Sequence, residues 1–220
     1  AGISHEINQP LFAIANFAKA CEKTLTDGKL NQIDKVLEWT HKIGQQATRA
    51  GEIIRRMRDF SRKSTPHHST VAVADMISEA IELVSSETKS QHIDLKCDIQ
   101  PAHLSVLADR IQIEQTLVNL LRNAYRALAE NALDDRHVTI RTELSGDVLR
   151  VSVRDNGHGF KGVTPDEIFN PFFTTKPDGL GLGLTISRSI IEAHRGNLWA
   201  EQNPDRGATF LFTLPAGNAN

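Results

Sequence analysis

Apolar residues recur from the start of the chain in alternating steps of four and three, at Ile3, Ile7, Leu11, Ile14, Ala18, Cys21 and Leu25. This is the period of a coiled-coil seam. The turn-forming run Thr26-Asp27-Gly28-Lys29-Leu30-Asn31 interrupts it. It resumes as Ile33, Val36, Thr40, Ile43, Ala47, Ala50, Ile54, Met57 and Ser61, flanked by Leu37, Ile53 and Phe60. An antiparallel helical hairpin is predicted. Two helices cannot enclose a core, so seams of this length call for a second copy of the chain and a dimeric four-helix bundle.

The next stretch, Arg62 to Ser69, is polar, contains Pro66 and has no period, which marks 62–69 as a linker between a hairpin domain, 1–61, and a second domain, 70–220. His67 and His68 read as solvated, because no Cys or carboxylate set accompanies them to complete a metal site. Beyond the linker the pattern alternates. Val71–Val73 reads as a strand, Asp75 as a helix N-cap, and Met76–Ser90 as a helix with Ile77, Ile81 and Val84 on one face. Strands are predicted over Ile93–Ile99 and Leu104–Ala108, and Asp109 as the cap of a long helix reaching about Glu130. Val138–Glu143 and Val148–Asp155 form a hairpin around Ser145-Gly146-Asp147. A glycine-rich region, a helix from Leu182 to His194 and strands near Asn197–Glu201 and Ala208–Leu214 complete an α+β chain, read as a mixed sheet with helices on one face.

Composition narrows the partners more than the chemistry. At 220 residues, with 40% hydrophobic and 24% charged positions and a net charge of -2, the chain has no electrostatic reason to seek nucleic acid or an anionic membrane. No run approaches the roughly 18 apolar residues of a membrane span. The segment reads as cytoplasmic, with any sensor or membrane-anchoring part of a longer protein lying upstream. Cys21 and Cys97 sit far apart in apolar-patterned stretches and are expected as buried free thiols.

Four stretches carry candidate chemistry. In Ser4-His5-Glu6-Ile7-Asn8-Gln9-Pro10-Leu11, His5 projects from the flank of the first helix. Glu6 can fix its tautomer and leave the other ring nitrogen free to attack phosphorus. Pro10 removes a helical hydrogen bond, which favours a kink beside His5. On the long helix, Asn119 and Asn123 are four apart and share a face, and an amide oxygen suits Mg²⁺. Asp155-Asn156-Gly157-His158-Gly159 follows a strand, where a buried carboxylate can accept from an exocyclic amine; a plain hairpin turn explains it about as well. Finally, Phe169-Asn170-Pro171-Phe172-Phe173-Thr174-Thr175-Lys176 precedes Gly179-Leu180-Gly181-Leu182-Gly183-Leu184 and a helix. Alternating glycines before a helix N-terminus present a row of amides to phosphate. The spacing matches neither the P-loop nor the dinucleotide fingerprint.

In this order the four stretches resemble the H, N, first glycine, F and second glycine boxes of the sensor histidine kinases, and the H box is similar to that of the oxygen- and dicarboxylate-sensing subgroup. The resemblance implies a dimerising phosphotransfer hairpin followed by an α/β sandwich ATP-binding domain of the gyrase, chaperone and histidine kinase type. It implies ATP and Mg²⁺ as cofactors, His5 as phosphoryl acceptor with Glu6 as acid/base partner, and a response regulator receiver domain as the next carrier. Asn123 would ligate Mg²⁺, Asp155 would contact the adenine amine, and Asn119, Arg126 and Lys176 would face the phosphates. Gly157, Gly159, Gly179, Gly181 and Gly183 would shape the pocket and its lid, and Thr209 would support the base. Two rivals remain: a hydrolytic ATPase of the same fold and a non-catalytic dimeric scaffold. The hydrolytic relatives carry a glutamate base four residues before the metal-binding Asn, where this chain has Asn119, and an amide cannot take a proton from water. Gln9 stands where many kinases carry Thr or Asn for dephosphorylation, which leaves phosphatase activity open.

Overall fold

The structure, a computed structural model, describes residues 2–28, 32–61, 67–129, 135–175 and 181–216. The chain divides into two compact units, Ala1–Lys63 and Ser64–Asn220.

The first unit is a hairpin of α1 (Gly2–Thr26) and α2 (Ile33–Ser61). The helix continues through Pro10, which is buried. Ile7, Ile14, Phe17, Cys21 and Thr24 of α1 are covered, as are Val36, Trp39, Ile43, Ala50 and Ile53 of α2, and the Cys21 thiol approaches the Val36 carbonyl at 3.8 Å. The other described positions of the predicted seam behave differently. Leu11, Ala18, Leu25, Ile33, Ala47 and Ile54 are exposed, as are Phe12 and Leu37, the latter at 58%. The single heptad pattern therefore divides into a covered half and an open half, which share a period and differ only in direction around each helix.

The second unit begins with β1 (Ser69–Ala72), α3 (Val73–Gln91), β2 (Asp94–Asp98), β3 (Ser105–Ala108) and α4 (Arg110–Ala129). It continues with β4 (His137–Ser145), β5 (Val148–Asp155), α5 (Gly183–Ala193), β6 (Leu198–Gln202) and β7 (Ala208–Pro215). Five strands form one mixed sheet in the order β2-β4-β5-β7-β6, in which only β2 and β4 run parallel. Alternation along β4 and β5 gives the sheet one wet and one dry face. Leu149, Val151, Val153 and Asp155 of β5 and Val138, Ile140 and Thr142 of β4 are buried, and their neighbours are not. The dry side carries the core, to which α4 contributes Ile113, Leu117, Leu120, Leu121, Ala124, Tyr125 and Leu128.

Four expectations change in detail. β1 and β3 do not join the sheet but pair with each other as a separate antiparallel ribbon, Ser69 opposite Ala108. The turn after β2 is clamped by Thr142, whose hydroxyl bonds both the Gln100 N–H and the Gln100 carbonyl. Strand β3 leaves the sheet beyond that turn and satisfies its backbone on β1 instead. Asp75 is not the N-cap of α3: the cap is Ala72, and Val73 already donates to the Leu104 carbonyl. Asp109 does cap α4, accepting from the Gln112 N–H at 3.3 Å. The thiols are free but not buried; Cys21 is half-covered and Cys97 is exposed on β2, an edge strand with a single neighbour. Finally, the exposed His67 and His68 are attached to the second unit. The His67 N–H donates to Asp109 Oδ2 at 2.9 Å, and the His68 ring meets the His194 ring edge-on at 5.0 Å.

Candidate nucleotide site

The second unit gathers its candidate residues at the ends of β5, α4 and α5 and in the β6–β7 turn. Alternation along β5 turns Asp155 inward at the strand end, where it is 1% exposed. Its Oδ1 accepts from the Gly157 N–H at 2.8 Å and, at 3.4 Å, from the Ala208 N–H. Burial pushes the carboxyl above the usual carboxylate range, and the two amides oppose that shift only in part. The second oxygen remains as an acceptor.

Close backbone approach explains the glycines around it. A side chain at Gly157 would strike the Ala127 carbonyl of α4, and one at Gly159 would strike the Gln202 amide. Gly207 packs over the Asp155 carbonyl at φ +88°, a conformation that excludes other residues on both counts. Asn156, beside Asp155, accepts from the His137 N–H at 2.9 Å and donates to the Asp135 carbonyl at 2.8 Å, which fixes where β4 begins.

Asn119 and Asn123 lie on one face of α4, as their spacing predicts, but they are not equivalent. Asn119 Nδ2 donates to Ser187 Oγ of α5 at 3.0 Å, and a side chain at Gly183 would meet Asn119 Oδ1. Asn119 thus ties α4 to the first turns of α5. The side chain of the half-buried Asn123 makes no hydrogen bond among the described residues, and its amide oxygen remains available as a hard-cation ligand. Arg126, one turn on, is exposed. No cluster of three or more His, Cys, Asp or Glu that could hold a metal occurs among the described residues. A cation here would rest on one amide oxygen, phosphate and water.

The segment before α5 is fastened to it. The Phe172 N–H donates to the Gly181 carbonyl at 3.1 Å, Thr185 Oγ1 donates to the Phe169 carbonyl at 3.0 Å, and the Arg188 guanidinium lies 5.0 Å from the Phe169 ring. Gly181 takes φ +63° with Phe172 and Phe173 backbone where a Cβ would be. Thr209, half-buried on β7, donates its hydroxyl to Asn203 Oδ1 at 2.6 Å. Lys176 and Gly179 lie outside the described residues. His5 and Glu6 fall in the first turns of α1, and their side chains are likewise outside the description. Sequence reasoning missed Ser187, Gln202 and Asn203, which mark no motif and matter only through the partners that the fold supplies.

The Histidine kinase-, DNA gyrase B-, and HSP90-like ATPase family model matches residues 108–218, and the His Kinase A (phospho-acceptor) domain model matches residues 1–66. The chain is 42% identical over 220 residues to the sensor protein FixL of Bradyrhizobium diazoefficiens, covering 100% of this chain and 43% of that protein. It is 37% identical over 213 residues to the C4-dicarboxylate transport sensor protein DctS of Rhodobacter capsulatus, covering 97% of this chain and 32% of that protein. The solved structure of the histidine kinase ThkA in complex with the response regulator protein TrrA aligns with TM-score 0.71 at 28% identity, over 98% of this chain and 60% of that one. The chain thus spans less than half the length of these two curated relatives. It belongs to the histidine kinase, DNA gyrase B and HSP90-like ATPase family and, within it, to the sensor histidine kinases, of which it forms the ATP-binding catalytic core. Its similarity to FixL and DctS is consistent with the expected resemblance of the H box to that of the oxygen- and dicarboxylate-sensing subgroup. No helix among the described residues is long and apolar enough to cross a membrane.

Proposed function

We propose that this chain transfers the γ-phosphate of ATP to His5 and then donates it to an aspartate of a response regulator receiver domain. The observation that carries this reading is the state of position 119. A hydrolytic enzyme of this fold needs a base there; Asn119 is an amide with its nitrogen on Ser187 and cannot activate water. The phosphate then needs another acceptor, and His5 on α1 is a histidine that the phospho-acceptor match contains. That ThkA is seen with a response regulator supports the second transfer.

Binding would place the adenine amine on the free oxygen of Asp155, whereas Thr209, opposite Arg154 on the other face of the sheet, would act on the base only through the strand. Arg126, Lys176 and the α5 N-terminus at Gly181 and Gly183 would face the phosphates. Gly157 and Gly159 would hold the pocket wall close, and Gly179 would belong to the lid. Asn123 would contribute its free amide oxygen to Mg²⁺, which offsets phosphate charge when bound. Glu6 would orient His5 and take up its ring proton. The 62–69 linker would let the ATP-binding domain reach the hairpin domain, 1–61. The open half of the hairpin seam supports a homodimer, in which Leu11, Leu25, Leu37 and Ile54 would be covered by a second copy. Gln9 gives no support to a phosphatase role.

The test is chemical. With Mg²⁺ and γ-labelled ATP the chain should acquire an acid-labile, base-stable label that is absent with α-labelled ATP and lost in His5→Gln. Label that survives that substitution would refute the assignment.

A further inference from the structure

Strand β5 is paired unequally at its end. Asp155 lies opposite Val138 of β4, but the ladder to β7 stops one residue earlier, at Arg154 opposite Thr209. Beyond that point the Asp155 carbonyl is met by Asn203, the first residue after β6, which is 6% exposed and lies outside the four motif stretches. The Asn203 side-chain nitrogen donates to the Asp155 carbonyl at 2.8 Å and to the Arg206 carbonyl at 3.1 Å, and its N–H donates to the Gly207 carbonyl at 3.0 Å. Carbonyl oxygens only accept, so the amide has one possible orientation, with Oδ1 left to the Thr209 hydroxyl at 2.6 Å. One residue thus closes the 203–207 turn and fastens it to Asp155. That turn delivers the Ala208 N–H to Asp155 Oδ1 at 3.4 Å, where it joins the Gly157 N–H at 2.8 Å.

We propose that Asn203 is a positioning residue for nucleotide binding, which aims the Asp155 carboxylate at the base by fixing both the Asp155 main chain and the turn that supplies its second amide. The proposal rests on the reading that Asp155 meets the adenine amine. One N–H on Oδ1 leaves a carboxylate free to pivot about its side-chain bonds, whereas two hold it and leave the other oxygen as acceptor. The Ala208 contact is long, so it depends on where the turn sits. Gly207 lies so close over the Asp155 carbonyl that a side chain there would strike it. Gln202 ties the same turn to Phe160 instead, donating to the Gly207 carbonyl and accepting from the Phe160 N–H, each at 2.9 Å. Without the Asn203 amide the buried Asp155 carbonyl loses that donor, and the Ala208 N–H is free to withdraw from the carboxylate. Asn203 acts on the nucleotide through Asp155.

The experiment measures equilibrium affinities of the whole chain for ATP and for purine riboside triphosphate, which carries hydrogen in place of the exocyclic amine and is otherwise the same. Wild type should prefer ATP, since only ATP offers the Asp155 carboxylate a donor. In Asn203→Ala that preference should fall about tenfold, the worth of roughly one hydrogen bond, through weaker ATP binding alone. Asn203→Ser is read the same way should the alanine variant not fold. Asn203→Asp keeps an oxygen for the Thr209 hydroxyl and loses both side-chain donors; it should show the same loss of preference. Equal losses of both affinities on Asn203→Ala would show a scaffolding residue only and overturn the proposal, as would an unchanged preference in Asn203→Asp. A wild type that binds the two nucleotides alike would instead overturn the pocket reading, and the proposal with it.

Discussion

The two units of this chain use the same apolar residues to different ends. The second closes on itself: Leu120, Leu121, Ile140, Leu149, Val153 and Phe212 are all buried within it. The hairpin covers half of its seam and leaves Leu11, Leu25, Ile33, Leu37 and Ile54 exposed. A five-stranded sheet with three helices surrounds a volume, whereas two helices share only one interface. The nucleotide site therefore resides in a self-sufficient body, and the proposed acceptor in one whose open seam the proposed homodimer would cover.

Four substitutions would break or sharpen this contrast. The largest effect is expected from Leu120→Ala, which empties a fully buried site on α4 and should lower the stability of the ATP-binding unit by about 2–5 kcal/mol in denaturant titration. It should leave the oligomeric state alone. The converse holds for Leu37→Asp. Each dimer would lose two apolar contacts of about 1.5 kcal/mol apiece, and sedimentation should show dimer affinity weakened roughly a hundredfold. Nucleotide affinity should persist.

Asp155→Asn separates function from stability within one unit. Losing a charge-assisted hydrogen bond of about 1.5–3 kcal/mol should weaken ATP binding by roughly 10- to 150-fold. Because burial raises the Asp155 pKa, its ionised form at neutral pH opposes folding. The variant should be no less stable than wild type at pH 7.5, and calorimetry against nucleotide titration reads both quantities.

The smallest effect concerns His194, buried at the end of α5. Its Nε2 accepts from the Asp109 N–H at 2.9 Å and its Nδ1 donates to the Ile190 carbonyl at 2.8 Å, so it is held neutral with both nitrogens occupied. Desolvation lowers its pKa, Ile190 and Asp109 oppose that shift, and His68 adds to it. A histidine whose folded pKa is depressed contributes fully above its unfolded value of about 6.5. That contribution is lost as the pH falls below it, at no more than about 1.4 kcal/mol per pH unit. The stability difference between wild type and His194→Gln should accordingly shrink between pH 7.5 and 5.5.

The contrast also explains what was legible beforehand. Period alone located both hairpin helices, but it could not say that Ile14 is covered within the hairpin while Leu11 is left exposed, since both obey the same heptad. Asp109 and the β4–β5 hairpin were readable because capping and alternation are local. The β1–β3 ribbon was not, because pairing of Ser69 with Ala108 depends on where the turn after β2 sends the chain. Asp155 was legible as a strand-end carboxylate beside glycines. Asn203 was not, since its meaning lies wholly in the Asp155 carbonyl and the Thr209 hydroxyl that folding brings to it.

The most direct test of the central claim follows the γ-phosphate in wild type and His5→Gln, measuring protein-bound and free phosphate together. The account predicts bound phosphate in wild type, and in His5→Gln neither bound nor free phosphate above background, because Asn119 supplies no base for water. Continued release of free phosphate by His5→Gln would contradict it and identify the site as hydrolytic.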